Sequence, residues 1–340
     1  MRARLANRHR MRTLSAMADN HTCRICCHSS TGPVYTVHEH MFGTGDPFSY
    51  FQCGQCGARQ LVLVPRELNK YYPDTYSSHR QGLSGGLRAK VRRLRDAAHL
   101  RLRLLGTPLA LVVPDTSLAA FGRLRPRLHL HHRVLDVGCG AGAVLHRLDE
   151  LGFLHLTGVD PFIPDNVASQ NGRVRIWKAR LEELTNDTDS WDLIFVNHVI
   201  EHVDDSIGLL KTIAGRLAER GKCLIRTPIA DSWAAAHYGP YWVQHDAPRH
   251  LLIHTERSIE VAASLAGLKV VDSWYDSTDF QFWGSEIYRQ GKALIEHPIW
   301  THAPGLKAIL SPRSLLGRVR AAWLNRRRRG DQACFVLARP

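Results

Sequence analysis

Three groups of residues in this chain have types and spacings that could do chemistry. The first lies in NHVIEHVDD at 197–205, where His198, Glu201 and His202 read H-x-x-E-H. On a helix, two histidines one turn apart can hold a catalytic zinc, with the carboxylate beside them as base. At the rim of a cleft the same residues can instead orient a group or take a proton near neutral pH. The second is VLDVGCGAGAVL at 134–145, with Gly138, Gly140 and Gly142 directly after an apolar run. Glycines suit a tight strand-to-helix turn where a ligand must approach the backbone. The third is a pair of C-x-x-C knuckles, Cys23/Cys26 and Cys53/Cys56, with Gly57 after the second. Four thiolates close the coordination sphere of a structural zinc. Cys27 can stand in for Cys26, His28, His38 and His40 are further candidates, and a metal-free segment is the alternative reading.

The ligand of the glycine loop is narrowed by charge. The spelling G-x-G-x-x-A, ending at Ala143, also satisfies the dinucleotide fingerprint. Asp136, two residues before the first glycine, would repel a diphosphate and welcome a ligand carrying an ammonium group. Asp160, in GVDP with Pro161, can accept hydrogen bonds from ribose hydroxyls, a need both ligand classes share. Cys139 reads as a small filler within the loop.

These residues need a scaffold, and the apolar pattern supplies one. RVLDVGC, LTGVD, WDLIFVN, GKCLIRTP, LKVVDSWY and ACFVLARP read as strands, with ARLEEL and ERSIEVAASLAG as helical segments between them. The βαβ rhythm implies an α/β fold, a mostly parallel sheet with helices on both faces. The terminal ACFVLARP is expected to pair with LKVVDSWY as a final hairpin, which makes the basic helical stretch of about 280–331 an insertion before the last strand. The division expected is a basic tail at 1–20, a zinc-binding module at 21–62, a helical linker region at 63–132 and a sheet domain at 133–340. In the linker, Leu87, Val91, Leu94, Ala98, Leu102 and Leu105 recur at helical spacing with Arg and Lys between them.

Among the 340 residues, Lys and Arg exceed Asp and Glu by 14. That balance admits an anionic membrane, an acidic polymer or nucleic acid as partner, although no run of basic residues interleaved with stacking aromatics favours nucleic acid. No apolar run reaches the roughly 20 residues that span a bilayer. LALVV at 109–113 is the strongest and is too short. The first residues lack a signal core, and Met11 and Met17 are alternative starts. The eight cysteines fit a reducing compartment, since four of them sit in the knuckles. A cytoplasmic protein, with room for peripheral contact with a membrane through basic helices, is expected.

The ordered set of motifs resembles the class I S-adenosylmethionine-dependent methyltransferases. VLDVGCGAG looks like their first motif, GVDP their second, WDLIFVNHVIEHVDD the strand-four motif and GKCLIRTP the strand-five motif. GPYWVQHDAPRHLLIH is similar to a W-x-x-x-D-x-P-x-H-L segment of one branch. That branch acts on small molecules, often sugars, polysaccharide ends or lipid-linked intermediates, and several members carry a zinc module followed by a YYP…Y stretch like Tyr71, Tyr72 and Tyr76. The resemblance covers about 133–272. It implies a Rossmann-like seven-stranded sheet with a small zinc-ribbon-like module. It also implies S-adenosyl-L-methionine held by Asp136, Gly138, Cys139, Gly140, Gly142, Asp160, Pro161 and Asn197. Relatives often place an acidic residue for the adenine amino group where Ala179, Arg180 and Leu181 stand here, so adenine recognition would rest on backbone groups.

The resemblance moves H-x-x-E-H from a peptidase helix to the rim of the cofactor and substrate cleft. His202 is then the first candidate base, with Glu201 as orienting group or alternative base, His198 beside them and His250 of PRHL as second candidate. The competing role for the E-H pair is shaping the cofactor pocket. Trp233, Tyr238, Tyr241 and Trp242 could wall an acceptor or form a small core. The function implied is methyl transfer to a small-molecule or glycan hydroxyl. The alternatives are an RNA or protein methyltransferase docking through the zinc module and basic helix, and a cofactor-binding scaffold without catalysis.

Overall fold

The computed structural model describes residues 20–30, 32–73, 120–125, 127–184, 190–297 and 311–340. The basic tail, the leucine stripe, LALVV, Tyr76 and most of the linker lie outside these residues. In chain order the elements are β1 (His21–Thr22), β2 (Ser29–Ser30), β3 (Val34–His38), β4 (Pro47–Gln52), β5 (Arg59–Leu61), β6 (Arg133–Val137), α1 (Ala143–Glu150), β7 (His155–Val159), β8 (Val167–Ala168), β9 (Val174–Trp177), β10 (Trp191–Asn197), α2 (Ser206–Arg216), β11 (Leu217–Pro228), α3 (Trp233–Tyr238), β12 (Leu252–Ile253), α4 (Glu256–Leu265), β13 (Lys269–Tyr275), α5 (Phe280–Arg289), α6 (Pro312–Arg326) and β14 (Gln332–Ala338).

The central sheet runs β13-β14-β11-β10-β6-β7-β9-β8. β9, β7, β6, β10 and β11 are parallel, and β14 runs antiparallel between β11 and β13. Parallel strands covered on both faces need continuous apolar runs, and LIFV of β10 is wholly buried. Successive residues feed opposite faces. Leu135, Ile194 and Val196 pack with Leu210 and Ile213 of α2 and Ile259 of α4. Val134, Leu193 and Phe195 pack with Leu145 and Leu148 of α1. The helices start where the sequence provides caps. Asp205 accepts from the Gly208 N–H at 2.8 Å, and Thr255 and Ser258 cap each other at the start of α4.

Two details differ from the sequence reading. The sheet has eight strands, because the two-residue β8 adds to the edge beyond β9. ARLEEL forms only a short 3-10 turn at Leu181–Glu183.

A second sheet of four strands runs β12-β5-β4-β3. Its last member comes from the far side of the sequence: Leu252 pairs with Gln60 and Ile253 with Arg59. The expected zinc-binding segment therefore does not close its own sheet. Cys23, Ile25, Cys53, Cys56 and Ala58 share one core with Leu252, Ile259 and the central sheet. A segment of some forty residues has too little apolar surface to close a core unaided.

Candidate active site

In an open α/β sheet, ligands bind at the carboxyl ends of the strands, where the chain leaves one strand for either side. Here that point lies between β6 and β10. β6 delivers Asp136, β7 leads to Asp160 and β10 ends at Asn197.

The glycine loop follows β6. Gly138, Gly140 and Gly142 have φ of +69°, +53° and +75°, a region that L side chains avoid. Space excludes a side chain as well. A Cβ on Gly138 would lie 2.4 Å from Val199 Cγ2, and one on Gly142 would lie 2.3 Å from Ile176 Cδ1. Val199 belongs to HVIEH, so this stretch lies directly over the cofactor loop. Asp160 ties the loop to β7: its carboxylate accepts from the Gly140 N–H and the Phe162 N–H, each at 2.8 Å. Asp136 is 4% exposed. Burial, and then the charge of Asp160, push its carboxyl up to about 8, with no hydrogen bond to hold it down. A carboxylate left this way favours a cationic ligand. Cys139 packs its sulfur over Gly158, and burial pushes its thiol up, as a filler would behave.

HVIEH is no continuous helix. His198 sits at φ +54°, and Ile200–His202 form one 3-10 turn. His198 has both ring nitrogens engaged. Nδ1 lies 3.1 Å from Glu201 Oε1 and Nε2 lies 3.2 Å from Arg226 Nη1. Since guanidinium only donates, Nε2 accepts and Nδ1 carries the proton. Arg226 in turn donates to Asp276 at 2.6 Å and approaches Asn197 Oδ1 at 3.4 Å. Glu201 is fully buried and its other oxygen accepts from Thr227 Oγ1 at 3.1 Å. Burial alone would raise Glu201, but the His198 hydrogen bond and the surrounding imidazoles outweigh it and hold the carboxylate at about 2.

His202 and His250 come together, with ring centroids 4.7 Å apart and an edge-on angle of 75°. The Arg249 carbonyl lies 2.9 Å from His202 Nδ1. The Gln244 carbonyl lies 2.7 Å from His250 Nδ1. A carbonyl cannot donate, so both rings carry their proton on Nδ1 and a lone pair on Nε2. No hydrogen bond among the described residues reaches either Nε2, and Asp246 Oδ2 stays 3.9 Å from that of His250. Burial first, and then the His250 charge, lower His202 to about 4.

The N-terminal segment supports this wall. Tyr72 Oη reaches His202 Nδ1 at 3.2 Å, and its ring stacks near Phe162 beside Asp160. Tyr50 Oη donates to the His250 carbonyl at 2.8 Å. Arg249, fully buried, donates to Glu39 at 3.0 Å, to Asp246 at 2.6 Å and to the Tyr71 carbonyl at 3.0 Å. Sequence reasoning missed Arg249 and Glu39. Arg249 stands in QHDAPRHLL and Glu39 between His38 and His40, and nothing in either stretch marks the charge as buried. Trp233, Tyr238 and Trp242 pack with Ile253 and Phe282 as a small core, and Trp242 donates to Asp331 at 3.1 Å. Of these aromatics, Tyr241 is the exposed one.

The four knuckle sulfurs converge. Cys23 and Cys56 are 3.6 Å apart, Cys26 and Cys53 3.5 Å, and all four lie within 4.8 Å of one another. A zinc with Zn–S of about 2.3 Å sets sulfurs about 3.8 Å apart, so the residues fit that ion. The two knuckles repeat one backbone pattern. The Cys27 N–H donates to the Cys23 carbonyl at 3.0 Å, as the Gly57 N–H does to Cys53 at 2.9 Å. Cys27 therefore occupies the place of Gly57, at φ +56° against +76°, and its exposed side chain points away from the cluster. This removes the ambiguity between Cys26 and Cys27.

A family model described as "Methyltransferase domain" matches residues 92–273. A ubiquinone biosynthesis O-methyltransferase of Azorhizobium caulinodans is 32% identical over 151 residues, 40% of this chain and 58% of that protein. One of Rickettsia bellii is 29% identical over 170 residues, 43% of this chain and 70% of that protein. A solved S-adenosylmethionine-dependent methyltransferase of Archaeoglobus fulgidus is 16% identical, with a TM-score of 0.39, covering 72% of this chain and 93% of the other.

Proposed function

Because the chain belongs to the methyltransferase domain family, we propose that it moves the methyl group of S-adenosylmethionine to a hydroxyl of a small, lipid-linked or sugar acceptor. The observation that carries this reading is that HVIEH lies against the glycine loop, with Val199 over Gly138. Asp136, buried without a donor beside the glycine loop, suits a ligand bearing positive charge. The stretch packed on that loop carries His202, which meets His250, and no hydrogen bond among the described residues reaches the Nε2 of either ring. A sulfonium is a good leaving group, so what remains for the protein is alignment, exclusion of water and removal of the hydroxyl proton.

On this reading Gly138, Gly140 and Gly142 let the backbone approach the cofactor, Asp136 faces its cationic part and Asp160 receives the ribose hydroxyls. Cys139, Pro161 and Asn197 line the same edge. The acceptor oxygen loses its proton at the cluster of Glu201, His202 and His250. His198 holds Glu201 from behind. Cys23, Cys26, Cys53 and Cys56 would hold one structural zinc, whose part is to fix the module that braces His202 and His250.

Two features support a lipid-linked acceptor over a free sugar. The relatives named above are ubiquinone biosynthesis O-methyltransferases. In addition, α6 exposes Leu315, Leu316, Val319 and Trp323, each by 51–69%, and Arg313 and Arg326 are exposed on the same helix, with Arg327 just past its end. Apolar side chains beside cations suit the surface of an anionic bilayer. No helix among the described residues is long and apolar enough to cross a membrane. The test is transfer from methyl-labelled cofactor into cell extract split into lipid and aqueous glycan fractions. Label in the lipid fraction supports the reading, label only in the glycan fraction reverses the choice of acceptor, and label only in RNA or protein overturns it.

A further inference from the structure

Deepening that reading and resting on it for the role, though not for the binding itself, we propose that Glu201, His202 and His250 form a second metal site, for a divalent first-row cation. One carboxylate oxygen and one nitrogen from each imidazole lie within 4.8 Å of one another, close enough for one ion to touch all three. Two imidazoles and one carboxylate suit zinc, manganese, iron, cobalt or nickel, and such a set leaves further positions open for an incoming oxygen.

Three further observations point to a ligand rather than to packing. First, each histidine is held as metal-bound histidines usually are, with Nδ1–H given to a carbonyl and Nε2 left for the ion. Second, Glu201 is oriented by His198 and Thr227 although it is wholly buried. Orienting partners of this kind ordinarily stand behind a ligating carboxylate. Third, carboxylates outnumber guanidiniums on both sides of the cluster among the described residues. Glu201 and Asp276 share Arg226 through His198 on one side, and Glu39 and Asp246 share Arg249 on the other, with Asp246 Oδ2 3.9 Å from His250 Nε2. A buried surplus of negative charge is costly unless a cation compensates it.

The site gives the proton step a definite form. Held by Glu201, His202 and His250, the cation would lower the pKa of an acceptor hydroxyl as it lowers that of bound water, and the proton would pass to water. The oxygen then forms a bond to the methyl carbon while the carbon–sulfur bond breaks, its electron pair staying on sulfur. A methyl ether, the thioether form of the cofactor and one proton result, with no change of oxidation state. His202 is on this account a ligand and not the base.

The experiment uses the full chain purified zinc-replete, so that the four-cysteine site is filled, and titrates it with Co²⁺ alone. The expected result is one added equivalent with weak visible ligand-field bands and no sulfur-to-metal charge-transfer band. His202→Ala and His250→Ala should each weaken Co²⁺ binding by at least about tenfold, and Cys53→Ser should leave this weak spectrum in place. Thermal melts of the same samples identify a variant that fails to fold. For such a variant the milder Glu201→Gln substitutes, with the same weakening expected. No added equivalent in the folded wild type overturns the site, as does full binding in a folded His202→Ala/His250→Ala double variant. S-adenosylmethionine binding, measured by calorimetry on the same preparations, fails separately if the methyltransferase reading is at fault.

Discussion

On the reading proposed above, the cofactor wall draws its groups from residues 136–160, and no hydrogen bond among the described residues reaches the Asp136 carboxylate. The acceptor wall draws on residues 39, 50 and 72, on 198–202, on 226 and on 244–250, and binds nearly every polar atom to another. The difference follows from what each must do. A cofactor would bring its own charges and hydroxyls, so the wall that receives it can keep one carboxylate, Asp136, without a donor among the described residues and its glycine backbone bare. An imidazole that must present a single lone pair in one direction has to be fixed from behind, and the fixing groups come from wherever the fold can supply them. Preorganisation is therefore local on one side and assembled from distant segments on the other.

The largest expected effect breaks the assembled side. Arg249→Met leaves Glu39 and Asp246 buried without their partner, and a buried pair broken from one side loses about 3–5 kcal/mol. Urea denaturation should show that loss. A change below about 1 kcal/mol would mean that the network is not what joins the segments.

Next comes Gly138→Ala on the local side. Left-handed backbone costs a non-glycine residue about 1–2 kcal/mol, and the new methyl meets Val199. Cofactor affinity should fall at least about tenfold, by 1.4 kcal/mol or more, and Gly138→Ala/Val199→Ala should regain part of it. Failure of the second substitution to help would separate the two walls that the contact at Val199 joins.

A smaller effect is the pH dependence of cofactor binding. Asp136 is raised to about 8 by burial and by Asp160. For a carboxyl raised in the folded state, the stability contribution is full below its usual range near 4 and is lost as pH rises through about 8. A cationic ligand binds the ionised form, so affinity for S-adenosylmethionine should rise several-fold, roughly, between pH 7 and pH 9. Calorimetry with Asp136→Asn should give a flatter profile, and equal slopes in both proteins would remove Asp136 from the cofactor wall.

The smallest effect is expected at Cys27. Cys27→Gly places glycine where the second knuckle already has it, so stability should stay within about 1 kcal/mol and zinc content should not change. Cys53→Ser should lose the metal. Elemental analysis of both decides whether the four sulfurs or their neighbour matter.

The same contrast explains what could be read in the sequence. Asp136, the three glycines and Asp160 were legible because a turn, its glycines and the next strand end are neighbours in the chain. His202 and His250 were legible as residue types, but not the carbonyls that fix their protons, since backbone partners leave no mark in the sequence. Glu39 and Arg249 are far apart in the chain and meet only in three dimensions. The pairing of β12 with β5 rests on two residues, too few for any periodicity. β9 escaped notice because VRIW alternates buried and exposed positions over four residues. The reading of ARLEEL as helix followed its propensity, whereas the Glu183 carboxylate reaches back to the Arg180 N–H at 2.8 Å and tightens the segment into a 3-10 turn.

The small sheet has a consequence for the order of events in the cell. Residues 59–61 leave the ribosome long before residues 252–253, yet they are partners in one ladder. While the middle of the chain is being made, β5 keeps a bare edge of the kind that invites pairing with another chain. Domains ordinarily fold in the order of their synthesis. Here the segment at 21–62 can complete its sheet only after residue 253 has emerged. A zinc ion taken up early by the four-cysteine site would hold that waiting segment together, and its supply during synthesis would then bear on yield before it bore on activity.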